Sequence, residues 1–272
     1  DTDSIQILQE TAKSMGKKAN VHLKVDTGMG RIGVRPEIAP DRALFIEKNC
    51  PNLHLQGIFT HMAVADMSDL DPFLYTEDQI QNFKNIVETV NQAIGREIEL
   101  PHCANSGDIL GHKNSFMKMV RPGIMIYGYY PDLSTPKTIF LKPGLSFYSR
   151  VSFIKRVKAR TPISYGQTWV APRATYIATV PVGYADGFNR LFSNRGRMLI
   201  NGRSYPVVGR VCMDQTMIDL GPETDVKVGD EVVLIGKSGD LQITAYEWAK
   251  KLGTITYEIT SQINQRVKRY YV

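Results

Sequence analysis

The sequence is poor in cysteine, has no long apolar run and has no cluster of basic residues. Its three cysteines, Cys50, Cys103 and Cys212, are far apart and form no Cys-x-x-Cys pair, which argues against a disulfide framework and against a structural metal site. No apolar run is long enough to span a bilayer, and no secretory signal is recognisable. We therefore expect a protein of the reducing cytoplasm.

Basic residues outnumber acidic ones, and the formal net charge is +6. They are spread along the chain, and no tract interleaves them with aromatic residues as a nucleic-acid platform would. We therefore expect no nucleic-acid partner, and the charge favours an anionic small molecule as ligand. With 272 residues and 43% apolar content, the chain has room for one large domain or two medium ones.

Residues 1–142 alternate segments of helical and of strand periodicity, which implies a parallel sheet. Asp3 or Ser4 can cap the first helix, and Gly95 can end the second. The predicted elements are, in chain order, helix 3–16, strand 21–26, strand 55–62, helix 76–95, a strand leading into HCANSG, and strand 119–128.

Four strands are half of what a closed barrel requires, since an α/β barrel of the TIM type has eight strands and typically about 250 residues. Four parallel strands alone would leave two open edges. We therefore predict that residues 1–142 form the second half of such a barrel. The first half is then absent or supplied as a separate polypeptide.

Polar side chains lie at or near the ends of the predicted strands. Lys24, His61 and Arg121 stand there, and Arg31 follows in a glycine-rich turn. At the carboxyl ends they would share the face where barrels gather ligand groups, and the cations suggest an anion site. Ser106 at a helix start suits phosphate. On the residues alone, a polar edge strand, a satisfied histidine and a helix cap are structural alternatives.

Residues 143–272 change to short strands and turns, which predicts a separate, mostly β domain. Asn201-Gly202 is a strong signal for a two-residue hairpin. Thr244 and Glu247 form a capping-box pattern that starts a helix ending at Gly253. We interpret the tail QRVKRYYV as a last strand.

Three loops of this second domain carry polar residues, namely SYG at 164–166, GYADG at 183–187 and CMDQ at 212–215. A free tyrosine is a poor base because its pKa is about 10. Tyr165 could therefore act as a base only beside cations or a histidine, for which Arg31 and His61 are candidates. On the residues alone, a structural role is the commoner meaning of such turns.

Taken together, these segments resemble the alanine racemases, which are fold-type III pyridoxal phosphate enzymes. The matching segments are HLKVDTGMGRIGV, FTHMA, HCANS, MVRPGIMIYG, ISYGQTW, PVGYADG, VGRVCMDQTMIDL and TYEI. So many collinear matches are far more specific than any one of them. The resemblance implies interconversion of L- and D-alanine for peptidoglycan precursors, in a homodimer whose active sites are shared between subunits.

The resemblance implies catalytic roles for four residues. Tyr165 matches the base that exchanges the α-proton on one face of the substrate, and His61 and Arg31 match its supporting hydrogen-bond network. Lys24 matches a lysine that is carbamylated in some members, and a carbamate there would hold the Arg31 guanidinium. Racemisation needs a base on each face, and the second base of the family is the cofactor lysine.

The resemblance also implies the contacts to cofactor and substrate. Arg121 matches the residue that faces the pyridine nitrogen. Because arginine can only donate, it leaves that nitrogen unprotonated and suppresses side reactions such as transamination. The other implied cofactor contacts are Asn105 and, for the phosphate, Ser106, Gly123, Ile124 and Tyr257. The implied substrate contacts are Arg31, the Met213 N–H for the carboxylate, and Asp214, Tyr184 and Arg190 around the entrance.

One element of the family pattern is missing from these residues. The cofactor lysine of the family ends the first barrel strand in a VVKANAYGHG-like motif, and no such motif occurs in residues 1–272. Lys24 is no substitute, because it belongs to a different motif. We therefore expect that residues 1–272 by themselves neither bind the cofactor covalently nor racemise, whereas the intact protein does both.

Two other functions fit the same motifs. A serine racemase of the vancomycin-resistance type would make this chain the cytoplasmic part of a membrane-anchored protein. Tyr257 favours alanine, because its phenol narrows the pocket for the substrate side chain. A non-catalytic fragment would keep only the dimer and phosphate-binding surfaces. A fold-type III decarboxylase is disfavoured by the SYG, GYADG and CMDQ set.

Overall fold

The computed structural model describes all residues, 1–272. The chain divides into two compact units, Asp1–Lys142 and Pro143–Val272, each with its own core. No helix in either unit has the length and apolar character needed to cross a membrane.

The first unit is a parallel three-stranded sheet with helices between its strands, in the order β1-β2-β3. Its strands are β1 (Ala19–Lys24), β2 (Leu53–Phe59) and β3 (Leu100–His102). Its helices are α1 (Thr2–Ser14), α2 (Ala39–Asn49), α3 (Leu70–Ile94) and α4 (Ser106–Gly111).

The core of the first unit lies between the sheet and its helices. Leu55 and Ile58 of β2 are fully buried, as are Ile80, Phe83 and Val90 on one stripe of α3. This stripe follows the helical period that the sequence shows. Because the strands are parallel, their carboxyl ends lie along one edge of the sheet, and the polar residues that follow them gather there.

Two predictions for the first unit are wrong in detail, and one helix is missing from them. Asp1, rather than Asp3 or Ser4, caps α1 by accepting the Ser4 N–H at 2.8 Å. Helix α3 begins at Leu70 rather than at Thr76, and α2 was not predicted.

The predicted fourth strand at 119–128 is also absent. The Arg121 N–H donates to the Ala104 carbonyl at 2.9 Å, so the segment does run beside the end of β3. Pro122 then lacks an N–H for a ladder, and Ile124–Tyr127 form a turn of 3₁₀ helix. The sheet therefore has three strands.

The second unit is built of antiparallel strands. Its strands are β4 (Phe147–Arg150), β5 (Phe153–Val157), β6 (Pro162–Ile163), β7 (Trp169–Val170), β8 (Thr175–Val180), β9 (Arg197–Ile200), β10 (Arg203–Pro206), β11 (Thr216–Gly221), β12 (Glu231–Ser238) and β13 (Leu241–Ile243). Two short helices follow, α5 (Ala245–Leu252) and α6 (Thr256–Ser261). Strands β10-β9-β12-β13 form one sheet, with β4 paired to β12, and β11-β8-β5 form another.

In the second unit the predicted hairpin turn is confirmed, and the predicted capping box is confirmed in part. Asn201 and Gly202 join β9 to β10 with φ angles of 49° and 73°, the two positive values that a type I′ turn requires. The Thr244 hydroxyl accepts the Glu247 N–H at 3.1 Å and caps α5. The second half of the predicted capping box does not form, because the Glu247 carboxylate pairs with Arg197 at 2.7 Å.

The predicted last strand is wrong. The chain beyond α6 has no strand pairing, because side-chain bonds fold it back on itself. The Arg269 guanidinium donates to the carbonyls of Ile263, Asn264 and Val267 at 2.6, 2.5 and 2.7 Å. A chain bent in this way does not present a row of groups for a ladder.

Candidate active site

A glycine-rich loop, residues 26–33, follows β1 and carries Arg31; we call it the Arg31 loop. The Asp26 carboxylate accepts the backbone N–H groups of Gly28, Met29 and Gly30 at 3.1, 2.9 and 3.0 Å. These bonds lower the pKa of the Asp26 carboxyl, as expected for a carboxylate that accepts several backbone N–H groups. Asp26 therefore fixes the shape of the loop.

Lys24 lies at the base of this loop. Its Nζ donates to the carbonyls of Val25 and Ile32 at 2.9 and 3.3 Å. Burial lowers the pKa of Lys24, and the charges of Arg31 and Arg121 lower it further. Arg31 itself is exposed and takes part in no hydrogen bond of the structure. Its guanidinium is therefore available to a ligand.

Arg121 joins the ends of β2 and β3. Its Nη2 donates to the carbonyls of Thr60 and Cys103 at 2.8 and 3.0 Å, and its Nη1 lies 2.5 Å from Nδ1 of His102. The guanidinium also lies over the Phe59 ring, with 5.4 Å to the centroid. Arg121 is thus a half-buried cation that backbone carbonyls, rather than a carboxylate, hold in place.

The arginine fixes the protonation of the histidines behind it. Because Arg121 can only donate, His102 Nδ1 must accept, so the His102 proton is on Nε2. That proton is directed at His22 Nδ1, 2.8 Å away. Burial lowers the pKa of His102 to about 3, with Arg121 and His22 adding to the shift. His102 is therefore neutral at pH 7.

His61 is a second neutral histidine, and it lies among the cations. Its Nδ1 is 3.4 Å from Arg121 Nη2. Burial lowers the pKa of His61 to about 4, and the charges of Arg121, Arg31 and Lys24 all act in the same direction. Three cations thus act on one neutral imidazole, while the Asp26 carboxylate accepts hydrogen bonds within the Arg31 loop. The excess of positive charge at this edge of the sheet favours an anionic ligand.

Beside this cluster, the start of α4 faces the Arg121 segment. The Asn105 side chain accepts the N–H groups of Gly107 and Asp108 at 2.7 and 3.2 Å and caps α4. The Ser106 hydroxyl accepts the Gly123 N–H at 2.8 Å. No hydrogen bond of the structure uses the Ile124 N–H. The Ser106 hydroxyl thus lies beside the backbone N–H of Gly123, two residues after Arg121.

In the second unit, Tyr165 lies on a tight turn between β6 and β7. Three residues of the turn have positive φ angles, Ser164 before Tyr165 (66°), and Gly166 (71°) and Gln167 (50°) after it. The Ser164 hydroxyl donates to the Arg210 carbonyl at 2.7 Å, which anchors the turn on the segment leading to CMDQ. The Tyr165 side chain is 72% exposed, so its hydroxyl is free to meet a substrate.

The GYADG and CMDQ loops pair with each other. The N–H groups of Tyr184 and Ala185 donate to the carbonyls of Cys212 and Met213, both at 3.1 Å. A Cβ at Gly183 would lie 2.3 Å from these carbonyl oxygens, so only glycine fits there. No hydrogen bond of the structure uses the Met213 N–H, which leaves that donor for a ligand.

Arg266 closes this pair of loops from the C-terminal segment. It donates to Asp186 Oδ1 at 2.7 Å through Nε and to Asp214 Oδ1 at 2.5 Å through Nη2. The two carboxylates raise the pKa of Arg266. Asp214 is thereby fixed beside Met213, whose conformation depends on the same turn.

Tyr184, Arg190 and Tyr257 are the remaining predicted site residues of the second unit. Tyr184 and Arg190 line a shallow cavity of about 420 Å³ together with Gln262. Tyr257 lies on α6. The structure therefore gathers the predicted residues into two groups. The first unit holds Lys24, Arg31, His61, Asn105, Ser106, Arg121, Gly123 and Ile124, and the second holds Tyr165, Tyr184, Arg190, Met213, Asp214 and Tyr257.

Three residues that hold these groups were not predicted from the sequence. The Asp-x-Gly pattern could have pointed to Asp26, since an aspartate two residues before a glycine often forms such a turn. His102 and Arg266 gave no local signal, because their partners lie 19–80 positions away.

Comparison with known proteins matches both units. Residues 1–131 match the family model described as alanine racemase, N-terminal domain, and residues 144–271 match the model described as alanine racemase, C-terminal domain. An alanine racemase of Cutibacterium acnes is 46% identical over 278 residues, which cover all of this chain and 71% of that protein.

Solved structures of alanine racemases are also similar to this chain. An alanine racemase of Clostridium difficile 630 is 40% identical with a TM-score of 0.92, covering 99% of this chain and 69% of that one. The alanine racemase of Bartonella henselae with covalently bound pyridoxal phosphate is 26% identical with a TM-score of 0.81, covering 99% and 71%. These similarities confirm the expected class, part of an α/β barrel followed by a mostly β domain.

Proposed function

The chain belongs to the alanine racemase family, and from this membership we propose that it supplies the residues that interconvert L- and D-alanine with pyridoxal phosphate. The observation that carries the site assignment is the cationic edge of the first unit. There, Lys24, Arg31 and Arg121 surround the neutral His61. An amino-acid carboxylate and a phosphate ester are the anions that such an edge would bind.

The residues of the first unit fit pyridoxal phosphate. No hydrogen bond of the structure uses the Arg121 Nε–H, which is a donor suited to a pyridine nitrogen. The Ser106 hydroxyl and the unused Ile124 N–H offer two donors to a phosphate. The Gly123 N–H, which donates to the Ser106 hydroxyl here, would add a third by leaving that bond. We further propose Asn105, which fixes the start of α4, and the Tyr257 hydroxyl as cofactor contacts.

Pyridoxal phosphate supplies the electron withdrawal that makes the α-proton of an amino acid acidic. Arg121 would limit that withdrawal, because its guanidinium would donate a hydrogen bond to the ring nitrogen but is not deprotonated in proteins, so it would not transfer the proton. We expect this restraint to favour return of the proton to the α-carbon over transamination.

We assign the proton transfer on one face of the substrate to the Tyr165 hydroxyl. His61 and Arg31 supply the supporting hydrogen-bond network. His61 suits this role because it is neutral at pH 7 and can accept a hydrogen bond. Lys24 holds the base of the Arg31 loop, and as a carbamate it would pair with the Arg31 guanidinium.

Substrate recognition follows from the remaining donors. We propose that Arg31 of one subunit and the Met213 N–H of its partner subunit bind the substrate carboxylate, while Tyr184, Arg190 and Asp214 shape the entrance. We also propose a homodimer with shared active sites. The three cysteines are free, which suits a reducing compartment such as the cytoplasm.

The origin of the second base stays a prediction. In the family it is the cofactor lysine, and residues 1–272 contain no VVKANAYGHG-like motif. We therefore propose that this lysine lies outside these residues, and that residues 1–272 by themselves do not racemise alanine.

Substitution of Tyr165 by phenylalanine tests the assignment. In the native enzyme with bound pyridoxal phosphate, we expect Tyr165→Phe to lower kcat by about 10²–10⁴-fold, the usual share of a general base. Chiral chromatography of alanine measures the rate, and the cofactor absorption should be unchanged. A variant with wild-type kcat would show that another group transfers the proton.

A further inference from the structure

A buried glutamine on α3 connects the Arg31 loop to the segment that carries His61. Gln79 is only 3% exposed. Its Nε2 donates to the Thr27 hydroxyl at 3.1 Å, and its Oε1 accepts the Ala63 N–H at 3.0 Å. Thr27 lies four residues before Arg31, and Ala63 lies two residues after His61. One amide group therefore holds both segments.

The direction of these bonds is fixed. A backbone N–H can only donate, so the Gln79 oxygen must face Ala63 and the Gln79 nitrogen must face Thr27. The Thr27 hydroxyl then accepts from Gln79 and is free to donate to the Thr60 hydroxyl, 2.7 Å away. Thr60 is fully buried, and its carbonyl accepts from Arg121. The connection thus runs from α3 through Thr27 to the Arg121 site.

A second contact from the same face of α3 acts on the same loop. Tyr75, one turn before Gln79, donates its hydroxyl to the Gly28 carbonyl at 2.9 Å. The bonds of Asp26 are local and fix only the shape of the loop. Gln79 and Tyr75 fix where the loop lies relative to the sheet.

We propose that Gln79 is a positioning residue for the substrate carboxylate site. It holds the Arg31 loop against the His61 segment, so that the exposed Arg31 guanidinium reaches the carboxylate without reordering the loop. This inference rests on the proposed function in one respect, namely that Arg31 binds the carboxylate. A shift of about 1 Å in a positioning group can cost about 100-fold in rate, so a loose loop would have a large effect.

The test compares Gln79→Leu with Gln9→Leu in the native enzyme. Gln9 is a matched control, since it is buried and also makes two amide hydrogen bonds, both to Asn52 at 3.1 and 2.9 Å. Both variants lose two bonds, and we expect similar falls in Tm. Only Gln79→Leu should weaken the binding of propionate, measured by calorimetry, and raise KM for L-alanine, each by about tenfold. We expect kcat to change less than KM.

A pair of Thr27 variants tests the same connection independently of Gln79. Thr27→Val removes the hydroxyl that links Gln79 to Thr60, and we expect it to weaken propionate binding as Gln79→Leu does. Thr27→Ser keeps the hydroxyl and should bind propionate as the wild type does. If Gln79→Leu does not fold, this pair decides the question.

Arg31→Ala separates the two claims. If Arg31→Ala weakens propionate binding while Gln79→Leu and Thr27→Val do not, the role of Gln79 is only structural and this inference is wrong. If Arg31→Ala leaves propionate binding unchanged, the carboxylate assignment itself is wrong, and the inference falls with it. Weaker binding in all three variants, with normal binding in Gln9→Leu and Thr27→Ser, supports both.

Discussion

At the scale of single residues, the site depends on histidines that remain neutral. His61 and His102 have pKa values lowered to about 4 and about 3, mainly by burial and then by Arg121. His102 must stay neutral to accept from Arg121, because a protonated imidazole can only donate. Protonation of His102 in acid should therefore break its contact with Arg121.

This neutrality gives a pH dependence of stability with a definite sign. An unfolded histidine has a pKa of about 6.5, so the unfolded chain binds more protons than the native one between pH 6.5 and the native values. The contribution of the two neutral histidines to the free energy of unfolding is therefore complete above pH 6.5. It decreases as the pH falls from 6.5 towards their native pKa values of about 4 and about 3.

We predict that His102→Gln reduces this acid sensitivity. Glutamine can accept from Arg121 but does not titrate. The fall in Tm between pH 7 and pH 5 should be smaller in the variant by about 2–4 °C, measured by scanning calorimetry. Equal falls in Tm for both proteins would show that His102 is protonated alike in the native and unfolded states.

At the scale of elements, helix ends and turns could be predicted where the residues that form them are neighbours in the sequence. The helix ends at Gly95 and Gly253 and the turn at Asn201-Gly202 follow from their own residues, and the structure has them. The sequence also predicts strands at 119–128 and 265–272. They fail because Pro122 cannot donate and because Arg269 folds the tail back.

The pairing of the GYADG and CMDQ loops gives an element-scale prediction. Gly183 has a φ of −150°, so alanine is allowed there by backbone conformation and fails only by contact with the Cys212 and Met213 carbonyls. We expect Gly183→Ala to destabilise the protein by about 3 kcal/mol, as overpacking does, and to raise KM for alanine because Met213 moves.

Gly253→Ala in the same unit is the control for this prediction. Gly253 has a φ of 70° with no atom near its missing Cβ, so alanine there should cost only about 1 kcal/mol and leave KM unchanged. Urea unfolding measures both values. If Gly183→Ala is no less stable than Gly253→Ala, the GYADG and CMDQ loops can move apart with no loss in the free energy of unfolding, and the prediction is wrong.

At the scale of the whole molecule, the candidate site was predictable by resemblance and much less by residue patterns. Collinear motifs pointed to Lys24, His61 and Arg121, and the structure places them at one sheet edge. The groups that hold them were not predictable, because Arg121 bonds to residues 18–61 positions away and Gln79 to a residue 52 positions away. Such partners are defined only by the folded sheet.

The central claim is that one base removes the α-proton and a different base returns a proton on the opposite face. Racemisation of L-alanine by the native enzyme in deuterium oxide, with mass spectrometry of the first D-alanine formed, tests it most directly. Since the second base draws its proton from solvent, we predict that this D-alanine carries deuterium at Cα. D-alanine that retains its original hydrogen, or no D-alanine from enzyme with bound pyridoxal phosphate, would contradict the account.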